Sequence, residues 1–510
     1  MTKDDYRKKI GNVVTELRND HGLTQTELAN RLNTSQSAIN RIERGAQNIS
    51  LEIIARISDV LNSEILSVND DGKLNLRVHG SHELSGEITT NTSKNAAVGL
   101  LCASLLNQGK TILRNVARIE EVKRIIEVLV SIGVKVHWLG DSNDLEIIRP
   151  KTLDLAHMNV ASAKRTRSII MFLGPLLHQE SQFRIPFAGG CNLGTRTVEP
   201  HLRALENYGM SVEAAPDTDY YDVKVKAKAP QKTIILSERG NTTSENLLMA
   251  AALYPGVTKM RNVSNDYMVM DLCYFLQKFG VQIDGLGTTN LTVHGRRAIN
   301  KTVEYFVSED PIEAFSFMTA AIVTNSEITV RRAPIEELDV EMALLSNMGQ
   351  KFTVSDQYLA KNGQTALADI TLHKSILIAP KDKIAGFPGA LNMDNLPFFG
   401  LIAAVAHGRT LIHDWSYDNR AIYLTELAKL NANVEMVDPH RVYITGPTKW
   451  KPNDIVAPPA LRPSVVVLLA MLAAPGLSIL RDVYNINRGY EDFYKRLNSL
   501  GAHIETFREI

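Results

Sequence analysis

Cysteine is nearly absent. Three residues in 510 (Cys102, Cys191 and Cys273) cannot build a disulfide framework, and none sits in a C-x-x-C pair of the metal-binding kind. A reducing compartment follows. An excess of either charge is missing too: 56 Lys+Arg stand against 56 Asp+Glu. That balance excludes a protein whose overall field drives it onto nucleic acid or acidic membranes, and leaves local patches only. The longest apolar run, Val465 to Ala474, stops at Pro475, about half of the roughly 20 residues that a bilayer span needs. The start, MTKDDYRKKIGNVV, has no apolar segment of the secretory type. The expectation is a cytoplasmic protein with no membrane partner. What is present is an ordinary globular composition, 44% hydrophobic, in a length that suggests about three domains.

The first 68 residues read as a small all-α module. Ile10, Val13, Val14 and Leu17 share one helix face, and Gly22 is placed to end that helix. Thr24-Gln25-Thr26-Glu27 has the capping-box pattern, with Leu28, Ala29 and Leu32 inward on the next helix. Gln36 to Arg44 makes a third helix, and Ser50 caps a fourth carrying Leu51, Ile54, Ile57 and Leu61. Two short helices joined by a tight turn in such a unit form a helix-turn-helix. The phrase LTQTELANRLNTSQSAINRIERG resembles the Cro/lambda-repressor-like family. The resemblance implies that Gln36, Ser37, Asn40, Arg41 and Arg44 face duplex DNA, and such proteins usually read paired half-sites as homodimers. Through residue 67 there are nine Lys/Arg and nine Asp/Glu, so phosphate affinity must come from segregated charges or dimerisation.

Asn69-Asp70-Asp71-Gly72 falls in a polar linker, residues 69–73. Beyond it one phrase recurs six times: an apolar helix, a turn, a strand, an amphipathic helix and another strand. The amphipathic helices end at Gly133, Gly209, Gly280, Gly349, Asn431 and Gly501, spaced by 76, 71, 69, 82 and 70 residues. Gly or Asn there suits the left-handed residue that closes a helix. The apolar partners are AAVGLLCASLL, SIIMFLGPLL, LLMAAALY, FSFMTAAIV, FFGLIAAVA and VVVLLAMLAA. Helices this apolar belong inside, and six such units cannot each bury a core alone. Two lobes of three units with a cleft between them are expected.

Chemistry should sit at unit ends and loops. Thr92-Ser93-Lys94-Asn95 puts a cation and an amide at a helix N-terminus, where free N–H groups favour anions. Pro186 to Arg196 places Cys191 among three glycines beside Arg196, a setting that lowers a thiol's pKa.

These phrases, with LGPL, GGCNLGTRTVEPHL, Asp394, Asp418-Asn419-Arg420, LRPS and INRGYE, occur in the order of one family. From residue 74 onward the chain resembles the enolpyruvyltransferases, in particular the UDP-N-acetylglucosamine 1-carboxyvinyltransferases. The resemblance implies an α/β fold, a two-lobed inside-out barrel. Lobe 1 would span 92–300 with the Cys191 lid, and lobe 2 would span 74–91 and 301–510. It implies transfer of enolpyruvyl from phosphoenolpyruvate to the 3′-hydroxyl of UDP-N-acetylglucosamine, the first committed step of peptidoglycan synthesis, with no cofactor or metal. In that scheme Lys94, Arg196 and Arg488 clamp phosphoenolpyruvate, with Arg167, Arg420 and Arg462 completing a basic cleft. Asn95 and Asp394 hold the sugar, and Asp394 takes the hydroxyl proton. Cys191 serves as lid proton donor or covalent group, while Thr197, Val198 and Glu199 lie along the uridine.

The sequence departs from this pattern in three places. Ala460 stands where the family has an aspartate before Leu-Arg. Gly240 to Ser244 replaces the Ser-Val-Gly-Ala-Thr nucleotide loop, and Asn487 replaces another acid. The alternative reading is therefore a DNA-binding regulator whose transferase domain senses UDP-N-acetylglucosamine or phosphoenolpyruvate without turnover.

Overall fold

In the N-terminal residues the capping signals act as the sequence demands. Thr24 Oγ1 accepts from the Glu27 amide at 3.2 Å, and the Glu27 carboxylate accepts from the Thr24 amide at 2.7 Å. Ser35 and Ser50 cap the following helices through the amides of Ala38 and Ile53. The computed structural model describes residues 3–20, 23–61, 74–140, 142–187, 197–215, 218–230, 232–386, 391–415 and 420–508. The chain divides into two units, Met1–Lys73 with Arg508–Ile510, and Leu74–Phe507.

The first unit holds α1 (Lys3–Asp20), α2 (Gln25–Arg31), α3 (Gln36–Glu43) and α4 (Leu51–Leu61). Its core is Val14, Leu28, Ala29, Leu32, Ile39, Ile42, Ile54 and Ile57, flanked by Ile10 and Leu17. Gly22, the linker, and the side chains of Val13, Leu51 and Leu61 lie outside the described residues. One polar hub pins these helices. The buried Glu43 carboxylate accepts from Arg18 Nε at 2.5 Å and from Gln25 Nε2 at 2.7 Å.

The second unit contains six small sheets. In five of them an antiparallel set is joined by one parallel strand: 303–306 on 110–114, 234–235 on 257–261, 85–89 on 327–334, 384–386 on 408–414 and 454–456 on 476–481. Parallel neighbours need a crossover. Three of these pairs obtain it locally, through helices Asn241–Leu253, Leu396–Val405 and Leu461–Ala473.

The other two pairs are exchanged. Strand 85–89 leads into α5 (Lys94–Ala103) and then 110–114, yet pairs with 327–334. Strand 303–306 leads into helix Pro311–Val323 and then 327–334, yet pairs with 110–114. The chain thus passes twice between two groups of sheets, at residues 90–93 and 307–310. The two passages bond to each other: Ser93 N–H donates to Ser308 O, and Asp310 N–H to Asn91 O, both at 2.8 Å.

Helices Pro311–Val323, Leu396–Val405 and Leu461–Ala473 pack on one another, one from each of three units. The segment Arg167–Leu176, α5 and Asn241–Leu253 do the same. Besides Arg462 and the polar groups at helix ends, Glu245, Asn246, Ser316 and Thr319 are buried there, and the rest of these interiors is apolar. The six helix-closing residues all adopt positive φ: 92°, 89°, 86°, 91° and 98° at the glycines and 75° at Asn431. Two expected helices differ. Arg167–Phe172 and Arg420–Leu430 wind as 3₁₀ helices. In the former, Pro175 lacks the N–H that a continuous α-helix would use. Among the described residues no helix is long and apolar enough to cross a membrane.

Gly174 tests the first helix cluster. A Cβ there would lie 2.3 Å from the carbonyl oxygen of Asn246 on the neighbouring helix. Gly174→Ala is expected to destabilise the unit by about 1–3 kcal/mol, read as a lowered melting temperature.

Candidate active site

Ser93 begins the site. Its hydroxyl accepts from Ala96 N–H at 3.2 Å, closing the N-terminus of α5 and leaving Lys94 and Asn95 in the first turn. The Lys94 ammonium has no hydrogen bond or ion pair among the described residues. Burial pushes its pKa down; Arg488 and Arg462 add to that, and Glu121 and Asp394 oppose it. Residues far apart in sequence thus converge electrostatically on one ammonium.

Arg462 and Arg488 share a feature. Arg462 Nε lies 3.9 Å from Asp394 Oδ2, and Arg488 Nε lies 3.0 Å from Glu121 Oε2. Both Nε–H groups are buried and make no hydrogen bond, Arg462 because its carboxylate is too far and Arg488 because its N–H is not aimed at the carboxylate it pairs with. A buried cationic donor without an acceptor is costly in a finished core, and it is what an arriving anion would satisfy. Arg462 also stands 5.0 Å from the centre of the Tyr490 ring. Glu121 is fixed by Thr166 Oγ1 at 2.6 Å. Burial alone would raise its pKa, but Lys94 and Arg488 outweigh burial and hold the carboxylate below its ordinary range.

A second strip adjoins Arg167. Arg167 Nη2 donates to Thr197 O at 3.0 Å, and Thr197 Oγ1 accepts from Glu199 N–H. Glu199 is tied to Arg203 at 2.9 Å, and Val198 packs on the core. His201, buried just beyond, faces Asn246 Nδ2 at 3.2 Å and Thr242 Oγ1 at 3.4 Å. Burial and Arg167 bring it down to about 3. It is therefore neutral, accepting at Nδ1 and donating from Nε2. This histidine joins the strip to the divergent Gly240–Ser244 turn. Within that turn Asn241 Nδ2 donates to Asp266 at 2.8 Å.

The structure thus brings together Lys94, Asp394, Arg462 and Arg488, with Asn95 adjoining them, and it joins Arg167 to Thr197. Cys191 and Arg196 lie outside the described residues, as does the side chain of Arg420. Ala460 is buried and starts the helix bearing Arg462 without a side-chain cap. Glu121, Tyr267 and the partnership of Tyr490 with Arg462 were not found by sequence reasoning. Glu121 stands in the first turn of helix Glu120–Ser131 and Tyr267 in an apolar helix, so neither carries a short-range signal of a site. Gln36, Ser37 and Arg41 on α3 and Arg44 at its C-cap are exposed, and Asn40 is half-buried. Gln25 Oε1 accepts from both Gln36 and Asn40.

Six small α/β units around a buried cationic cleft define the enolpyruvyl transferase class of fold. The enolpyruvyl transferase NikO from Streptomyces tendae matches 86% of this chain and 100% of its own, with TM-score 0.75 and 22% identity. EPSP synthase from Acinetobacter baumannii matches 85% and 100%, with TM-score 0.68 and 17% identity. Residues 78–497 match the EPSP synthase (3-phosphoshikimate 1-carboxyvinyltransferase) family, and the chain belongs to it. Residues 14–66 match a helix-turn-helix family. Among relatives, the UDP-N-acetylglucosamine 1-carboxyvinyltransferase of Campylobacter hominis is 30% identical over 435 residues, 85% of this chain and 99% of its own length. That of Bradyrhizobium diazoefficiens is 30% identical over 433 residues, 85% and 98% respectively.

Because Lys94 is shifted downward, anion binding in the cleft should weaken with rising pH at a point below the ordinary lysine value of 10.5. Calorimetric titration of the protein with phosphoenolpyruvate as the anionic probe is expected to show this alkaline limb. In Lys94→Arg the limb should vanish, since a guanidinium stays charged.

Proposed function

We propose that the chain transfers the enolpyruvyl group of phosphoenolpyruvate to the 3′-hydroxyl of UDP-N-acetylglucosamine or a related nucleotide sugar, releasing phosphate. The observation that carries this reading is the pair of buried arginine donors without acceptors beside Lys94, with the Asp394 carboxylate at the same place. The relatives named for this reaction support it along nearly their whole length.

The chemistry fits the charges. The acceptor oxygen attacks C2 of phosphoenolpyruvate while C3 gains a proton. The tetrahedral adduct then loses that proton and inorganic phosphate, restoring the double bond on the new ether. Lys94, Arg462 and Arg488 face the phosphate and carboxylate, where charge persists through the adduct. Asp394 receives the hydroxyl proton. Arg196 and Arg420 complete the cationic set, and Cys191 supplies the proton to C3 or forms the covalent adduct. Thr197, Val198 and Glu199 flank the uridine. The reaction belongs in the cytoplasm and to peptidoglycan synthesis.

The N-terminal unit adds a second activity, duplex DNA binding through Gln36, Ser37, Asn40, Arg41 and Arg44, as a homodimer on paired half-sites. One observation favours a regulator without turnover: the buried methyl of Ala460, where the resemblance expects a carboxylate.

The test is phosphate release from phosphoenolpyruvate with UDP-N-acetylglucosamine. Turnover needing both substrates is expected, and Asp394→Asn should lower it by about 10²- to 10⁴-fold without changing the melting temperature. No release, combined with melting raised by either ligand, would replace the enzyme by the sensor. For DNA, Arg41→Ala and Arg44→Ala should each reduce the slope of log affinity against log salt by about 0.9 if they contact phosphates.

A further inference from the structure

Tyr267 is absent from every role assigned so far, yet its hydroxyl reaches the two residues, Ser93 and Asn95, that flank Lys94. It occupies the first turn of helix Tyr267–Lys278, is 5% exposed, and reaches back to α5. Ser93 Oγ donates to it at 3.1 Å, and Asn95 Nδ2 donates to it at 3.5 Å. The same phenol feels Asp310, Asp266 and Arg462.

The hydrogen-bond inventory gives this contact a consequence. A primary amide has a donor end and an acceptor end. With Nδ2 held on the phenol, the Asn95 carbonyl oxygen has no partner among the described residues and remains to accept from a ligand hydroxyl.

The backbone of Tyr267 is fixed from the other side. Its neighbour Asp266 accepts from Asn241 at 2.8 Å, and the Asp266 amide donates to Ser264 Oγ at 3.2 Å. Ser264 Oγ in turn donates to Asn241 Oδ1 at 2.6 Å. The divergent Gly240–Ser244 turn is thereby tied to Asn95 through one aromatic side chain.

We infer that Tyr267 is a positioning residue for the acceptor: its phenol orients the Asn95 amide so that the sugar end of a nucleotide sugar is gripped, in register with the Gly240–Ser244 turn. This rests on the nucleotide-sugar reading above. The phenol acts as a neutral hydrogen-bonding group, since burial first and the two acids second push its pKa well above the usual range.

Equilibrium affinity tests this without requiring turnover. By calorimetry, Tyr267→Phe is expected to weaken UDP-N-acetylglucosamine by about tenfold, the order of one hydrogen bond to a buried polar group. UDP, which lacks the sugar, and phosphoenolpyruvate should bind the variant as they bind the unaltered protein. The loss should be the same from pH 6 to pH 9, because no charge is removed. In an Asn95→Ala background, Tyr267→Phe should add nothing, since the two act through one contact. Equal weakening of UDP and UDP-N-acetylglucosamine, additivity with Asn95→Ala, or unchanged sugar affinity would each overturn the inference. If the unaltered protein binds UDP but shows no gain from the sugar, the nucleotide-sugar reading falls, and this inference with it. If the unaltered protein shows that gain and the variant keeps it, only the inference falls.

Discussion

Everything in the candidate site depends on the paired passage of the chain between two groups of sheets. Residues 90–93 and 307–310 run antiparallel and exchange backbone hydrogen bonds, and Asn91 N–H also donates to the buried Glu313 at 2.6 Å. A strand cannot leave one sheet and join another without exposing donors and acceptors, and a buried orphan is costly. Pairing the two passages satisfies those groups mutually. It also fixes where each following helix begins. Ser93 and Asp310 become N-caps of neighbouring helices, Asp310 accepting from the amides of Ile312 and Glu313. Lys94 and Asp310 therefore meet because of topology, not because of local sequence.

The cationic cleft is assembled at a cost. Lys94, Arg462 and Arg488 are gathered where water is scarce, and desolvation is the largest influence on Lys94. Charges of one sign in such a place repel, and the structure offsets this with the Arg488–Glu121 ion pair at 3.0 Å and with the nearby carboxylates of Asp394 and Asp310. Glu121 stays ionised because Lys94 and Arg488 face it. Asp310 shifts upward, since its burial outweighs the help of Arg462 and Lys94. The near-misses at Arg462 and Arg488 leave their Nε–H groups without acceptors. A core built only for stability would close such contacts; a binding site must leave them open.

How much of this was legible follows the range of the interactions. The capping box at Thr24, the glycine and asparagine helix endings, and the six apolar helices are local, and each was read from neighbouring residues. So was Lys94 at a helix start. The strand exchange was not, because its partners lie 192 and 242 residues apart and no short pattern encodes them; only the family resemblance, which groups 74–91 with 301–510, implies it. The phrase SIIMFLGPLL reads as one of the six apolar helices, and with Pro175 inside it the segment Arg167–Phe172 winds more tightly. Tyr267 lies in YMVMDLCYFL, where every signal says core. It is core, and only the contact of its hydroxyl with α5 gives it another meaning.

Two units in one chain share a concentration and not a state. A helix-turn-helix joined to a transferase gains proximity from the linker; for one to control the other, a ligand must bind two arrangements unequally. The catalytic unit holds elements able to differ in that way. The unsatisfied Arg462 and Arg488 sit beside carboxylates that an anion would displace, and Asn95 rests on a long contact to Tyr267. Each would be a small rearrangement within the cleft, driven by the charge or hydroxyl of a ligand. The helix-turn-helix unit presents a different economy: its charges cancel in sum, so a phosphate ligand would find attraction only where charges segregate, as at the exposed Arg41 and Arg44. An enzyme whose cleft closes on substrate while its partner unit binds a separate ligand requires nothing more than these two independent sites. A sensor requires, in addition, that closure of the first alter the pairing of the second.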